Sequence, residues 1–165
     1  MLNQMERENV IERYAIGGAV AATFYLEPVS TLDVDVFVAF KPEGERVVVS
    51  PGPIFDYLKK FGCRVEGEYI VISGWPVQFL PANGPLLEEA LANAAEIDVE
   101  GNRARVFGAE YLAAIALQTG RAKDKARLLQ FVEAGVLKSA TFEAVIARHD
   151  LKEKWAKFAT QFLGS

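Results

Sequence analysis

The chain has 165 residues and a formal net charge of −4, with 51% hydrophobic and 24% charged residues. That length suits one ordinary domain, and the composition excludes a disordered, collagen-like or coiled-coil protein. The acidic balance excludes one that grips duplex nucleic acid mainly by neutralising phosphates; a single cysteine, Cys63, excludes an internal disulfide, and a single histidine, His149, excludes a multi-histidine zinc centre.

Residues 2–13 read as a helix. Their mixed charges lack the basic cap and apolar run of a signal peptide, so a cytoplasmic protein is expected. "YAIGG" reads as a short strand running into a turn at Gly17 and Gly18. The apolar run Ala19 to Leu26 fits a buried helix that Pro28 ends. No apolar stretch reaches the roughly 20 residues a membrane crossing needs. "LDVDVFVAF", rich in valine and aromatic residues, is predicted to be a central strand.

"PGPIFDYLKKFG" reads as a turn and a short helix with Ile54, Phe55 and Leu58 inward. "CRVEGEYIVISGWPVQFLP" reads as strands joined at Gly67 and at Ser73-Gly74, with Cys63 as filler. A helix is expected from about Pro85 to Asn93, with Glu88 and Glu89 on its wet face. "AAEIDVEGNRARVFG" reads as two strands around a Gly-Asn turn.

After Gly108 come four helical patterns separated by Gly120, Gly135 and Asp150. This change of character divides the chain into an α/β core, 1–107, and a helical region, 108–165. In the last helix Leu151, Trp155, Phe158 and Phe162 form an apolar stripe that needs a partner surface, either the chain's own core or a second copy in a homodimer.

The chemistry concentrates at Asp33 and Asp35. Alternation along a strand puts both on one face, and a rise of roughly 3.3 Å per residue sets their α-carbons about 6–7 Å apart. Carboxylates that close repel when desolvated, unless a cation sits between them. Mg²⁺, a hard ion suited to carboxylate oxygens, is the natural choice, with Mn²⁺ as its substitute. Upstream, Gly17 and Gly18 open a helix whose backbone N–H groups a triphosphate can approach.

"IGGAVAATFYLEPVSTLDVDVFV" resembles the signature of the DNA polymerase beta-like nucleotidyltransferases, in which a Gly-Gly or Gly-Ser helix start precedes a D-x-D strand. The branch it is most similar to is the minimal, AbiEii-type group of bacteria and archaea, some of which are toxins of toxin–antitoxin pairs. The resemblance is specific over residues 14–40 and follows the order of elements to about residue 130. It implies an α/β (α+β) fold, a mixed sheet flanked by helices with a C-terminal helical tail. It also implies that Gly17 and Gly18 contact the triphosphate of an NTP and that Asp33 and Asp35 hold Mg²⁺. The activity implied is transfer of an NMP to a hydroxyl on RNA such as tRNA, on protein or on a small molecule, under the control of an antitoxin or other regulatory partner.

Members of that superfamily bring a third carboxylate from a later strand, and the equivalent position in "WPVQFLP" holds Gln78, which cannot carry charge or take a proton. Glu68 and Asp56 are the nearest acids by sequence that could substitute. The alternative is a catalytically degenerate module that binds nucleotide or a partner protein without transfer. "QTGRAKDKARLL" resembles the family's following helix, which implies that Lys123 contacts phosphate or ribose and that Asp124 orders it or receives a substrate group. Arg121, Lys125 and Arg127 extend a basic face there. Thr31, just before the strand, offers its hydroxyl to a phosphate or to the turn.

Overall fold

The computed structural model describes residues 1–28, 30–40 and 50–164. Its strands are β1 (Arg13–Ile16), β2 (Val34–Ala39), β3 (Arg64–Glu66), β4 (Tyr69–Ile72), β5 (Trp75–Pro81), β6 (Ala95–Val99) and β7 (Asn102–Val106). Its helices are α1 (Leu2–Arg7), α2 (Gly18–Ala22), α3 (Gly52–Lys59), α4 (Pro85–Ala92), α5 (Ala109–Thr119), α6 (Ala122–Glu133), α7 (Ser139–Arg148) and α8 (Lys152–Phe162). The strands form one mixed sheet ordered β3-β4-β5-β2-β1-β7-β6, with β2 in the middle as its valine-rich sequence predicts. β2 runs antiparallel to β1, from Arg13↔Ala39 to Ile16↔Val36, and parallel to β5, from Val34↔Val77 to Val38↔Pro81.

Alternation along β2 assigns its two faces. Val36 and Val38 join Val77, Phe79 and Ile70 under α1 and α3, where Met5, Ile11, Ile54 and Leu58 are fully buried. Phe37 and Ala39 face the other way, toward Ala21, Leu86, Ala90, Leu112 and Ala113 of α2, α4 and α5. The same cluster continues without a break into Leu128, Phe131, Phe142, Val145 and Phe158 of the last three helices. Burying each such side chain is worth roughly 1.5–3 kcal/mol, so the C-terminal helices are held by the core on the aspartate side of the sheet.

Four local outcomes differ from the sequence expectation. The helix expected over Ala19 to Leu26 is regular only to Ala22, after which the Phe24 and Tyr25 N–H groups donate three residues back, to the Ala21 and Ala22 carbonyls, and the chain continues as turns. The first helix ends at Arg7 instead of residue 13 because Asn9 adopts a left-handed φ of 59°; the Val10 and Asn9 N–H groups then donate back to Met5 and Glu6, and the chain turns into β1. The β6–β7 turn is Glu100-Gly101, one residue before the expected Gly-Asn, with φ of 53° and 79° and the Asp98 carboxylate accepting the Gly101 N–H at 2.8 Å. Glu89 is not on a wet face: it accepts from the Tyr111 hydroxyl at 2.9 Å and from Arg148, and lies 2.6 Å from His149 Nε2. These bonds tie α4 to α5 and to the end of α7. The hydrogen bond from Arg148, with those from Tyr111 and His149, lowers the Glu89 carboxyl to about 2 against the opposing pull of burial.

The α8 stripe finds its partner mostly within the chain. Phe142 meets Trp155 edge-on at 5.0 Å, Trp155 stacks on Phe158 at 5.7 Å, and Phe158 touches Phe162 at 4.9 Å. The ladder ends at Phe162, which remains 40% exposed. Among the described residues no helix is long and apolar enough to cross a membrane.

Candidate active site

Asp35 lies inside β2 and Asp33 one residue ahead of it, both half-buried on the face of Phe37. The Thr31 hydroxyl donates to the Asp33 carbonyl at 3.1 Å and lies 3.4 Å from its Oδ1, which closes the turn into the strand. The Thr31 hydroxyl thus has a partner within the turn. Burial pushes the Asp35 carboxyl above the usual carboxylate range, and the charge of Asp33 adds to the push; Lys123, Arg127 and Arg121 oppose it.

The two glycines do different work. Gly17 caps α2, and its N–H donates to the Asp35 carbonyl at 2.9 Å, so that group is committed to the fold and not free for a phosphate. A Cβ on Gly17 would fall 2.5 Å from the Phe37 ring and 3.3 Å from that of Phe107; the residue is glycine because two packed rings occupy its side-chain space. Gly18 has φ +57°, and a Cβ there would fall 1.9 Å from Asp35 Oδ2. Only glycine both adopts that backbone and leaves the carboxylate its place. The Gly17 N–H is thus engaged within the fold, and Gly18 is the glycine that borders the Asp35 carboxylate.

α6 supplies the positive wall. Lys123 and the half-buried Arg127 are one helical turn apart, which places both on the side that acts on Asp35. Asp124 is the single buried charged residue among those described, 4% exposed, and Arg121 holds it in a fork at 2.6 and 3.2 Å. Asp124 thus pairs with Arg121 instead of ordering Lys123, and the pair fixes the start of the helix. The i, i+3 spacing of Arg121 and Asp124 was the available signal for this contact, outweighed in the sequence by the run of cations around it.

Gln78 stands directly beside Asp35 in the β2–β5 register, so the neighbouring-strand position that would complete an acidic triad is occupied by a neutral amide. Asp56 cannot replace it: it lies on α3, whose buried face packs against the opposite side of the sheet, and pairs with Lys59 at 3.8 Å. Glu68 acts on the same side chain as Asp33: burial raises the Tyr69 hydroxyl, and the carboxylates of Glu68 and Asp33 both add to the shift. Sequence reading did not single out Tyr69. Even so, no group of three or more His, Cys, Asp or Glu side chains is set for a metal among the described residues.

Two carboxylates fit one Mg²⁺, an ion that commonly takes one or two protein carboxylates and completes its shell with water and phosphate oxygens. The Asp35 carboxyl, raised by burial and then by the charge of Asp33, and its seat against Gly18, from which a Cβ would displace it, are the features a small cation would use. The donor set does not extend to a second ion of the usual carboxylate kind.

No known protein family matches the sequence, and no curated protein matches it either. Solved structures do. An antigenic nucleotidyltransferase-like protein from Paracoccidioides brasiliensis aligns over 93% of this chain and 87% of its own, at 15% identity and a TM-score of 0.58. This chain has the nucleotidyltransferase fold. ANT(2'')-Ia, crystallised in complex with adenylyl-2''-tobramycin, aligns over 93% of this chain and 94% of its own, at 16% identity and a TM-score of 0.52. A solution structure of the same antibiotic-resistance factor aligns over 99% and 94%, also at 16% identity and 0.52. At these identities the likeness speaks for the fold and leaves the chemistry to the residues.

Proposed function

We propose that this chain is a nucleotidyltransferase that moves an NMP from an NTP to a hydroxyl acceptor, with Asp33 and Asp35 holding Mg²⁺, or Mn²⁺ in its place. The observation that carries this reading is the Asp35 carboxylate seated against Gly18 and opposed by the cations of α6. Asp33 and Asp35 would hold the ion, which when bound neutralises charge at the α-phosphate during in-line displacement of pyrophosphate. Lys123 and Arg127 would neutralise the remaining phosphates, and the Gly18 end of α2 would give them room. Gln78 can orient the acceptor hydroxyl by hydrogen bonding but cannot take its proton, so we assign proton removal to Glu68, the carboxylate that acts on Tyr69 together with Asp33.

The acceptor classes are a small molecule, a protein side chain or a tRNA end. ANT(2'')-Ia, with its adenylylated small molecule, favours the first, and the net charge of −4 disfavours a long nucleic acid. The motif over residues 14–40 supports the AbiEii-type branch and, with it, a cytoplasmic component of a toxin–antitoxin pair. A second reading, a module that binds nucleotide or a partner without transfer, is favoured by one observation: Gln78 in register with Asp35.

Thermal stability of wild type and Asp35→Asn with each NTP, with and without Mg²⁺, tests the site without knowledge of the acceptor, because a ligand of the folded state raises stability with its concentration over Kd. The expected result is a Mg²⁺-dependent shift in wild type alone, followed by label transfer from an α-labelled NTP. A shift without transfer to any acceptor class selects the second reading. No shift with any NTP removes both nucleotide readings.

A further inference from the structure

Away from the aspartates, α5, α6 and α8 enclose a cleft of about 260 Å³. Its floor is Leu117, Leu128 and Phe158 with Phe162 at one end, and its rim carries Lys125, Lys154 and Lys157. Leu117, Leu128 and Phe158 are buried, whereas Phe162 is 40% exposed, the one rung of the α8 aromatic ladder left facing water. None of the three lysines has an ion pair among the described residues. Lys154 is instead fixed by donating to the Gln118 carbonyl at 2.7 Å, near the end of α5 where a cation is favoured. An apolar trough rimmed by lysines without ion pairs, Lys125 and Lys157 beside the tethered Lys154, is complementary to a molecule with a hydrocarbon or aromatic body and a negative head.

We propose that this cleft is a binding site for a small amphipathic carboxylate, medium-chain aliphatic or aromatic, whose body lies against Phe162 over Leu117 and Phe158 and whose carboxylate is taken by Lys125 and Lys157. The volume sets the size: it lies just below the roughly 300–1,000 Å³ of pockets for drug-sized ligands, so the occupant is compact. The floor consists of carbon, and apart from the lysines only the Gln161 amide lines the cleft with a polar side chain, so nothing there reads a nucleotide base. The lysines also decide the sign: a neutral or cationic body of the same shape leaves them unpaired or is repelled. This site is independent of the nucleotide reading, since it uses neither Asp33 nor Asp35.

The test is titration of the full chain with decanoate and with 2-naphthoate, below the micellar range, by calorimetry and by amide chemical shifts. Decanol and decylammonium serve as controls. The expected result is saturable binding of both carboxylates, with shifts grouped on α5, α6 and α8. The exposed double reversal Lys125→Glu/Lys157→Glu should weaken it at least tenfold, and Phe162→Ala should weaken the naphthoate more than the decanoate. Circular dichroism of each variant confirms the fold. Equal binding of decanol, unchanged binding in the lysine variant, shifts grouped elsewhere, or no saturable binding of either carboxylate would each overturn the proposal. Asp35→Asn should bind both carboxylates as wild type does, which separates this site from the nucleotide site.

Discussion

Gly18→Ala tests the junction on which the site depends. The added methyl meets two obstacles: a backbone at φ +57°, which costs an L-residue about 1–2 kcal/mol, and Asp35 Oδ2 only 1.9 Å from where the methyl must sit. The carboxylate is the movable partner, and rotating it some 30° off its rotamer costs about 0.5–1.5 kcal/mol. Against this, alanine restricts the unfolded chain and returns about 0.4–1 kcal/mol. The net expectation is a loss of about 1–2 kcal/mol. In equilibrium urea unfolding this appears as a midpoint lower by roughly 1 M at an unchanged slope. Because the clash is relieved by moving Asp35, the Mg²⁺-dependent stabilisation by NTP should disappear as well. Gly17→Ala provides the contrast: its methyl collides with the Phe37 ring at 2.5 Å, so it should cost stability while leaving the carboxylate in place and the Mg²⁺·NTP response largely intact. Full retention of that response in Gly18→Ala, despite the expected loss of stability, would refute the assignment of Asp35 as a metal ligand.

Asp35→Asn should stabilise the protein at pH 7 without Mg²⁺ while abolishing its Mg²⁺·NTP response. The raised carboxyl of Asp35 contributes stability that is full below its unfolded value of 3.8 and is lost as pH rises through the folded one, and thermal unfolding of the two proteins from pH 3 to 7 reads the difference. Lys123→Ala should weaken NTP binding about tenfold, as loss of one charge-assisted phosphate contact, with Mg²⁺ binding unchanged; calorimetry with and without nucleotide measures both. Arg121→Ala should cost about 1–2 kcal/mol, below the roughly 3–5 kcal/mol of a fully buried pair because Arg121 is itself 61% exposed, and urea unfolding measures it. Glu89→Gln should remove stability present above pH 4.5 and lost as pH falls toward 2. The drop from 4.5 to about 2 caps that contribution near ~3 kcal/mol, and screening at a side chain 24% exposed brings it to about 1.5 kcal/mol, so the two acid-unfolding curves should converge near pH 2.

Why some of this was legible in the sequence, and some not, follows from the range of the interactions. β2 and its neighbours could be read because alternation and β-branching act within one strand, and the sheet only confirms what each strand already prefers. α1 was overestimated because its end depends on the left-handed conformation of Asn9, a local choice that periodicity does not register. Glu89 was misplaced for the opposite reason: Tyr111, Arg148 and His149 lie 22, 59 and 60 residues away, and no local pattern announces partners at that distance. The Gly-Gly pair was found for its ability to admit a phosphate, yet one glycine is required by two phenylalanine rings and the other by the aspartate it faces.

The same distinction bears on Gln78. A strand register is a long-range fact, and only the pairing of β2 with β5 turns a glutamine in "WPVQFLP" into the immediate neighbour of Asp35. The amide adds no charge beside Asp35, whose carboxyl burial and then the charge of Asp33 already raise, so two carboxyl groups stand here where an acid at position 78 would make three. That lowers the electrostatic cost of the unliganded state and leaves no base at this position beside the two aspartates. Gln78→Asp separates these consequences. It should lower stability in the absence of Mg²⁺, because a third carboxylate joins a half-buried pair. It should also tighten the Mg²⁺ dependence of NTP binding and raise the rate of label transfer, because a third oxygen ligand and a base are restored together. A variant that is destabilised and gains neither Mg²⁺ affinity nor transfer would show that the amide occupies a position without contact to the reacting groups, and the search for the base would move to Glu68.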